Sequence, residues 1–349
     1  MPWRAKDYSR VSIAICILAK NEGRVIAESL AQLAKQSIIH SDDEDIDIHV
    51  VANGCTDDTV EVARLNHRLF YDSRTKLHVH DLNPGGKSRA WNRAVHELIC
   101  RSSEYIVFLD ADITFADNDV LTLMLNCLKD HPEPAAISGF PVKDVSLNSK
   151  KSVFDRFSLM VSERSRERGA INGSLYVVRA RFLVETWLPD QTPGEDGFLN
   201  AMLTTRGFTK TPDSTLVTTP TSPTHSFQAH NPLGFLFHER RMIVGTMINR
   251  WIFEHLWSLS LTLPAGPLIR DWNRVDPGWV ERLVHKRIDG HSWLIPNAIL
   301  FGRFKIRGPQ SYWKKATYIP IATAATLLTL LPAILANKRL KEVGATSTW

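Results

Sequence analysis

Residues 107–120 read VFLDADITFADNDV. With Tyr105 and Ile106 before them they open on an apolar run of strand length, which stops at Asp110-Ala111-Asp112. A strand-length run with no polar alternation is buried on both faces, as in a parallel sheet covered by helices. Carboxylates at the end of such a strand are costly to desolvate unless something pairs with them. The acids therefore imply a partner, and the run before them implies a sheet.

Working outward, the first half of the chain alternates. Strand-like runs occupy residues 11–19, 46–52, 76–82 and 105–109, and another follows at 135–140. Helical spacing lies between them. Ile26, Leu30 and Leu33 fall on one helix face, as do Ala90, Ala94 and Leu98. Apolar strands alternating with helices predict an α/β fold of βαβ units, with a mainly parallel sheet flanked by helices. Right-handed crossovers bring the ends of successive strands to one edge, where such sheets bind ligands. On that edge fall LAKNEG (18–23), VANGCTDDT (51–59), NPGGKSRAWN (83–92) and the Asp-Ala-Asp.

Composition sets outer bounds. Hydrophobic residues make up 44% and charged residues 23% of the 349, which is globular usage and excludes a disordered class. The formal net charge of +5 suits phosphates or an anionic membrane face and is too mild to argue for nucleic acid. The four cysteines show no paired spacing, so the expectation is free thiols in a reducing compartment. The basic start and apolar run of MPWRAKDYSRVSIAICILAKNE superficially imitate an export signal. The run is short and β-branched and has no small-x-small cleavage site, so it reads as a first buried strand.

The texture changes near Leu233. Residues 233–261 are strongly apolar but interrupted by Glu239, Arg240, Arg241, Arg250 and Glu254, which predicts an amphipathic helix on a core or a bilayer surface. Asp276-Pro277 reads as an N-cap followed by proline at the first helical position. Residues 318–336 carry no charge and are flanked by lysines, which fits an in-plane or re-entrant helix, a membrane span, or a helix buried in protein. The chain is thus divided into a catalytic domain at 1–232 and a helical, membrane-associating region at 233–349. Eight of the ten tryptophans lie in the second half, as interfacial residues would.

Two carboxylates one residue apart past a strand end can hold a divalent cation through hard oxygen atoms. Such a cation neutralises a diphosphate and makes it a good leaving group. In this order the segments resemble the family 2 glycosyltransferases, inverting nucleotide-sugar-dependent enzymes of the GT-A fold. AKNEG resembles the family's first-strand Ala-x-Asn-Glu, and VVANGCTDDT its Val-Val-Asp-Asp-Gly-Ser-x-Asp-x-Thr. NPGGKSRAWN resembles Asn-x-Gly-Lys-x-x-Ala-x-Asn, and FLDAD the metal-binding Asp-x-Asp. INGSLYVVRARFL (171–183) resembles the small-residue turn and strand beside the donor sugar. PGEDGFLNAMLTTRGF (193–208) resembles the segment that supplies the catalytic base. The likeness covers roughly residues 10–245.

The resemblance implies the following roles. Ala19, Asn21 and Glu22 cup the nucleotide, with Glu22 and Asn53 on base and ribose, and Lys87 approaches the diphosphate. Asp110 binds ribose or the metal edge, Ala111 lies beside the donor, and Asp112 is the direct ligand of Mn2+ or Mg2+. His225 or His230 is a candidate third ligand. Asn172 and Gly173 contact the donor sugar and Arg241 the diphosphate. Asp196 is the base, with Glu195 positioning it or contacting the acceptor. Asn53 departs from the family, which often has Asp there. His238-Glu239-Arg240-Arg241-Met242 keeps only the arginine of the polymerising relatives' Gln-x-x-Arg-Trp, so single-sugar transfer is favoured over processive synthesis. The expectation is an inverting transferase on the cytoplasmic face of a membrane, using a nucleotide-sugar, with UDP the carrier on family grounds, and a lipid-linked or membrane-presented acceptor. A non-catalytic nucleotide-sugar-binding protein and a sugar-nucleotide pyrophosphorylase are the alternatives. The latter needs a basic Gly-rich loop after the first strand, which AKNEG lacks.

Overall fold

The computed structural model describes residues 10–71, 74–146, 159, 169–228, 232–301 and 312–343. Four parallel strands build its centre: β1 (Val11–Ala19), β2 (Glu44–Asn53), β3 (Lys76–Leu82) and β4 (Tyr105–Asp110). After β5 (Ile113–Phe115), β6 (Ala136–Ser138) and β7 (Pro141–Lys143), the chain returns in β8 (Leu175–Arg179). β8 lies antiparallel between β4 and β6. With β9 (Val217–Thr218) the main sheet runs β3-β2-β1-β4-β8-β6-β9; β10 (His225–Phe227) joins β5 and β7 in a small second sheet.

Alternation along β1 assigns the two faces. Ile13, Ile15 and Ile17 point to a layer formed by α1 (Ile26–Ala34), α2 (Thr59–Leu65) and α4 (Val120–Asp130). Ala14 and Cys16 face α3 (Lys87–Arg93), α5 (Glu195–Thr204) and the C-terminal helices. Ile26, Leu30 and Leu33 are all buried, as their spacing predicts. Ala90 and Ala94 are buried, but α3 passes at Ala94 into a π-helical turn, Ala94–Leu98.

The C-terminal helices are α6 (Pro232–Ser258), α7 (Gly266–Val275), α8 (Trp279–Ile288), α9 (Asn297–Leu300) and α10 (Tyr312–Val343). α6 buries Ile243, Val244, Met247, Ile248, Trp251, Ile252 and Leu256 in the core that β1 and α3 share. Its apolar face therefore meets protein. Asp276 does not cap α8, which starts at Trp279 behind Gly278; its carboxylate pairs with Arg282 instead. α10 contains the charge-free stretch. It buries Ala333, Ala336 and Leu340 and exposes Leu327, Leu328, Leu331 and Ile334 on the opposite side. Among the described residues, no helix is long and apolar enough to cross a membrane.

Candidate active site

The loops after β1 and β2 are tied side by side. Asn21 adopts a left-handed conformation (φ 57°), and its Oδ1 accepts the Thr56 N–H at 2.8 Å. The Glu22 N–H donates to Thr59 Oγ1 at 2.8 Å and the Gly23 N–H to Asp57 Oδ2 at 3.0 Å. Ala19 is buried, and its carbonyl accepts from the Cys55 thiol at 3.5 Å. The seam leaves the Glu22 carboxyl near the acids of β4. Burial, then Asp112, Asp110 and Asp57, push it up to about 7.

The loop after β3 docks against Asn53. This side chain is only 3% exposed, and its Oδ1 accepts the Gly86 N–H at 2.6 Å. It is therefore a strut beneath the glycine turn. Gly86 (φ 145°) precedes α3 in a conformation that side chains disfavour. Gly85 allows close approach, since a Cβ there would lie 3.0 Å from the Asn53 carbonyl and 3.1 Å from Lys20 Nζ.

The turn delivers Lys87, whose Nζ lies 3.0 Å from Asp110 Oδ1 and 2.7 Å from Glu195 Oε1. Burial alone would depress the ammonium, but the two carboxylates more than reverse this and hold it well above the usual lysine range. Burial raises Asp110, with Lys87 opposing. The partner implied by the first acid is thus a lysine. Asp112 is exposed and makes no hydrogen bond or ion pair among the described residues. Its oxygens remain available.

Residues 172–174 form the far wall. The Asp110 N–H donates to the Ser174 carbonyl at 2.9 Å, and the Ser174 N–H to Asn172 Oδ1 at 3.1 Å. A Cβ on Gly173 would lie 3.1 Å from Asp196 Oδ2, so the glycine lets that carboxylate come up against the turn. Burial and then the Glu195 charge raise Asp196 to about 6. His225 is fully buried, and its ring bonds hydroxyls at both nitrogens: Ser174 Oγ to Nε2 at 2.7 Å and Thr224 Oγ1 to Nδ1 at 2.8 Å. Burial holds it near 4. The neutral ring is thereby linked to Asn172 through Ser174, whose hydroxyl donates to Asn172 Oδ1. His230 lies outside the described residues. Arg241 is exposed on α6.

Asn249 on α6 belongs to this site and is not evident from the motifs. It is 6% exposed, donates Nδ2–H to the Gly194 carbonyl at 2.7 Å and accepts from Thr192 Oγ1 at 2.5 Å. Ser88 and Asn92 of α3 hold the same approach, donating to the carbonyls of Thr192 and Leu188 at 2.8 Å each. The first turn of α5, with Glu195 and Asp196, is thus fixed from α3, from α6 and by Gly173. An asparagine among the apolar residues of α6 was the available signal, because a buried amide requires partners.

Among the described residues, no group of three or more His, Cys, Asp or Glu side chains could hold a metal ion. Asp112 and Glu22 still offer hard oxygen donors of the kind Mg2+ and Mn2+ take when substrate phosphates and water complete the shell. These two residues fit a divalent metal whose shell other oxygen ligands complete.

Residues 14–179 match the family described as Glycosyl transferase family 2. The structure is similar to a mannosyltransferase from Pyrobaculum calidifontis in complex with GDP-Man and Mn2+, at 18% identity and TM-score 0.53, covering 98% of this chain and 91% of that one. Glucosyl-3-phosphoglycerate synthase from Mycobacterium tuberculosis, in complex with Mn2+, UDP and glucosyl-3-phosphoglycerate, aligns over 71% of this chain and 86% of its own at 14% identity and TM-score 0.48. TarS from S. aureus aligns over 95% and 92% at 12% identity and TM-score 0.46. No curated protein sequence matches the chain. Sheet order and family match agree, and residues 14–179 form a family 2 glycosyltransferase domain on the GT-A fold.

Proposed function

We propose that the protein transfers one sugar from a nucleoside-diphosphate sugar, UDP-linked, to a hydroxyl of a lipid-linked or membrane-presented acceptor, with inversion at the anomeric carbon. One observation carries this reading. Asp196 is a largely buried carboxylate set against Gly173, separate from the Lys87 ion cluster, and held near 6 so that it is ionised at neutral pH. A carboxylate there accepts the acceptor's hydroxyl proton as that oxygen attacks. A single base opposite the leaving group gives one displacement and an inverted product.

The other residues divide the remaining work. Lys87, shared between Asp110 and Glu195, supplies positive charge beside the donor's diphosphate and orients Glu195 next to the base. Glu22 flanks the nucleotide from the seam of the first two loops, Asn53 props the glycine turn that presents Lys87, and Asn172 and Gly173 line the sugar side. Asp112, with Glu22, would hold Mn2+ or Mg2+, which when bound offsets charge on the departing diphosphate. Association with the inner face of a membrane is supported by α10, whose exposed Leu327, Leu328, Leu331 and Ile334 are followed by Lys338, Arg339 and Lys341.

The test is hydrolysis of UDP- and GDP-sugars with Mn2+ in the absence of acceptor. The wild type should release nucleoside diphosphate slowly, the sugar should emerge with inverted configuration by NMR, and Asp112→Asn should abolish release. A protein that turns over none of these donors, or that retains configuration, does not perform this reaction.

A further inference from the structure

The opposite end of the sheet carries a cavity of about 840 Å3. β4 links the two ends: Tyr105 lines the cavity, and Asp110 lies at the candidate active site. Five residue steps along the strand separate them by roughly 17 Å. α3 runs from Lys87 at the active-site end to the π-helical turn whose Val95, His96 and Glu97 form one wall. Such turns are rare and concentrate at functional sites.

Charge distinguishes this cavity. Four arginines line it, against the acids Glu97 and Glu104. Arg179 is the floor, its guanidinium fully engaged by the carbonyls of Pro134, Leu128 and His131 and by the Tyr105 hydroxyl. Arg101, Arg181 and Arg270 are the exposed ones, and they come from three separate segments. Arg181 gives one N–H to the Pro132 carbonyl at 3.3 Å, and Arg270 pairs with Asp271 at 3.1 Å. Arg101 makes no hydrogen bond or ion pair among the described residues. Glu97 is already matched by Arg93 at 2.9 Å.

His96 lines the same cavity as Arg101 and Arg270. It donates Nε2–H to the Thr186 carbonyl at 2.8 Å and stacks on Trp187 with centroids 3.8 Å apart. Burial lowers its pKa; Thr186 and Glu97 oppose this, and Arg101 and Arg270 lower it further. Arg101 from the turn before β4 and Arg270 from α7 thus line one cavity with this stacked aromatic pair.

We propose that this cavity is a second ligand site, distinct from the catalytic edge, for a small phosphorylated anion. The guanidinium fork matches phosphate oxygens in pairs, which a lysine cannot do. The volume lies within the range of roughly 300–1,000 Å3 typical of small-molecule sites.

The experiment is calorimetric titration of the full chain with inorganic pyrophosphate in EDTA, which removes metal-dependent binding at the catalytic edge. Saturable binding is expected, weakened at least tenfold by Arg101→Ala and by Arg270→Ala. Arg101→Lys, which keeps the charge and loses the fork, should fall between. Both side chains are exposed, so an unchanged melting temperature should accompany each loss. Absence of saturable binding up to millimolar anion, or full affinity in the Arg101→Ala/Arg270→Ala double variant, overturns the proposal.

Discussion

Lys87 is the point where fold and chemistry are least separable. Its ammonium serves Asp110 from β4 and Glu195 from α5, so Lys87→Met leaves two carboxylates without their counter-charge. The expected loss is about 2–4 kcal/mol at pH 8, below the full buried-pair cost because Asp110 is partly exposed. Without the lysine Asp110 loses the charge that opposes its rise by burial, so the folded state binds more protons than the unfolded chain. The variant should therefore regain stability as the pH falls, and urea melts at pH 8 and pH 5 measure it. Asp196 has the opposite economy. Its folded value near 6, raised first by burial, means the ionised form destabilises the native state at neutral pH. Asp196→Asn should gain about 1–3 kcal/mol there and lose turnover by about 10²–10⁴-fold. In the wild type kcat/KM should fall as the pH drops through about 6, because the base must be ionised. Gain of activity below pH 5 would contradict that assignment.

At the scale of elements, α5 carries the proposed base and α6 holds the turn before it. Asn249→Asp keeps the shape and the acceptor for Thr192, but it removes the donor to the Gly194 carbonyl and adds a charge beside Glu195 and Asp196. A cost of about 1–3 kcal/mol is expected, together with a drop in kcat at unchanged donor KM, and steady-state kinetics beside thermal melts separate the two. Equal falls in kcat/KM and donor affinity would mean the clamp acts on binding instead. The same elements show what the sequence discloses. β1 and β3 end where their apolar runs end, and β4 is one residue longer than its run, because Asp110 still pairs in register with Leu18. The run at 135–140 shrinks to Ala136–Ser138, since Phe140 bonds to Thr224 beside the second sheet instead. β5, β7 and β10 have three residues each, too few for any periodicity to register. Asn53 was legible as a candidate residue, but its hydrogen bond to the Gly86 N–H was not. Which way a side-chain amide faces depends on the turn from Asn83 to Lys87, far off in sequence.

On the scale of the whole molecule, the helical region is continuous with the sheet's own packing. Phe198, Met202 and Phe208 of the α5 segment share one core with Val244, Ile248 and Ile252 of α6, with Ile269 of α7 and with Ala333 and Ala336 of α10. A boundary at residue 232 is visible in composition because tryptophans increase there, and one hydrophobic core runs across it. A fragment of residues 1–232 should therefore expose this core, bind a hydrophobic dye and melt without a cooperative transition; a sharp thermal transition would show that the first part folds alone. The outward face of α10 makes a separate prediction. Leu327, Leu331 and Ile334 are exposed, so replacing all three by serine should leave the melting temperature within a few degrees while removing sedimentation with anionic vesicles. High salt should weaken wild-type sedimentation only in part, since screening reaches the lysines at the helix end and not the leucines. Vesicle binding that survives the triple substitution would move the membrane contact elsewhere on the chain.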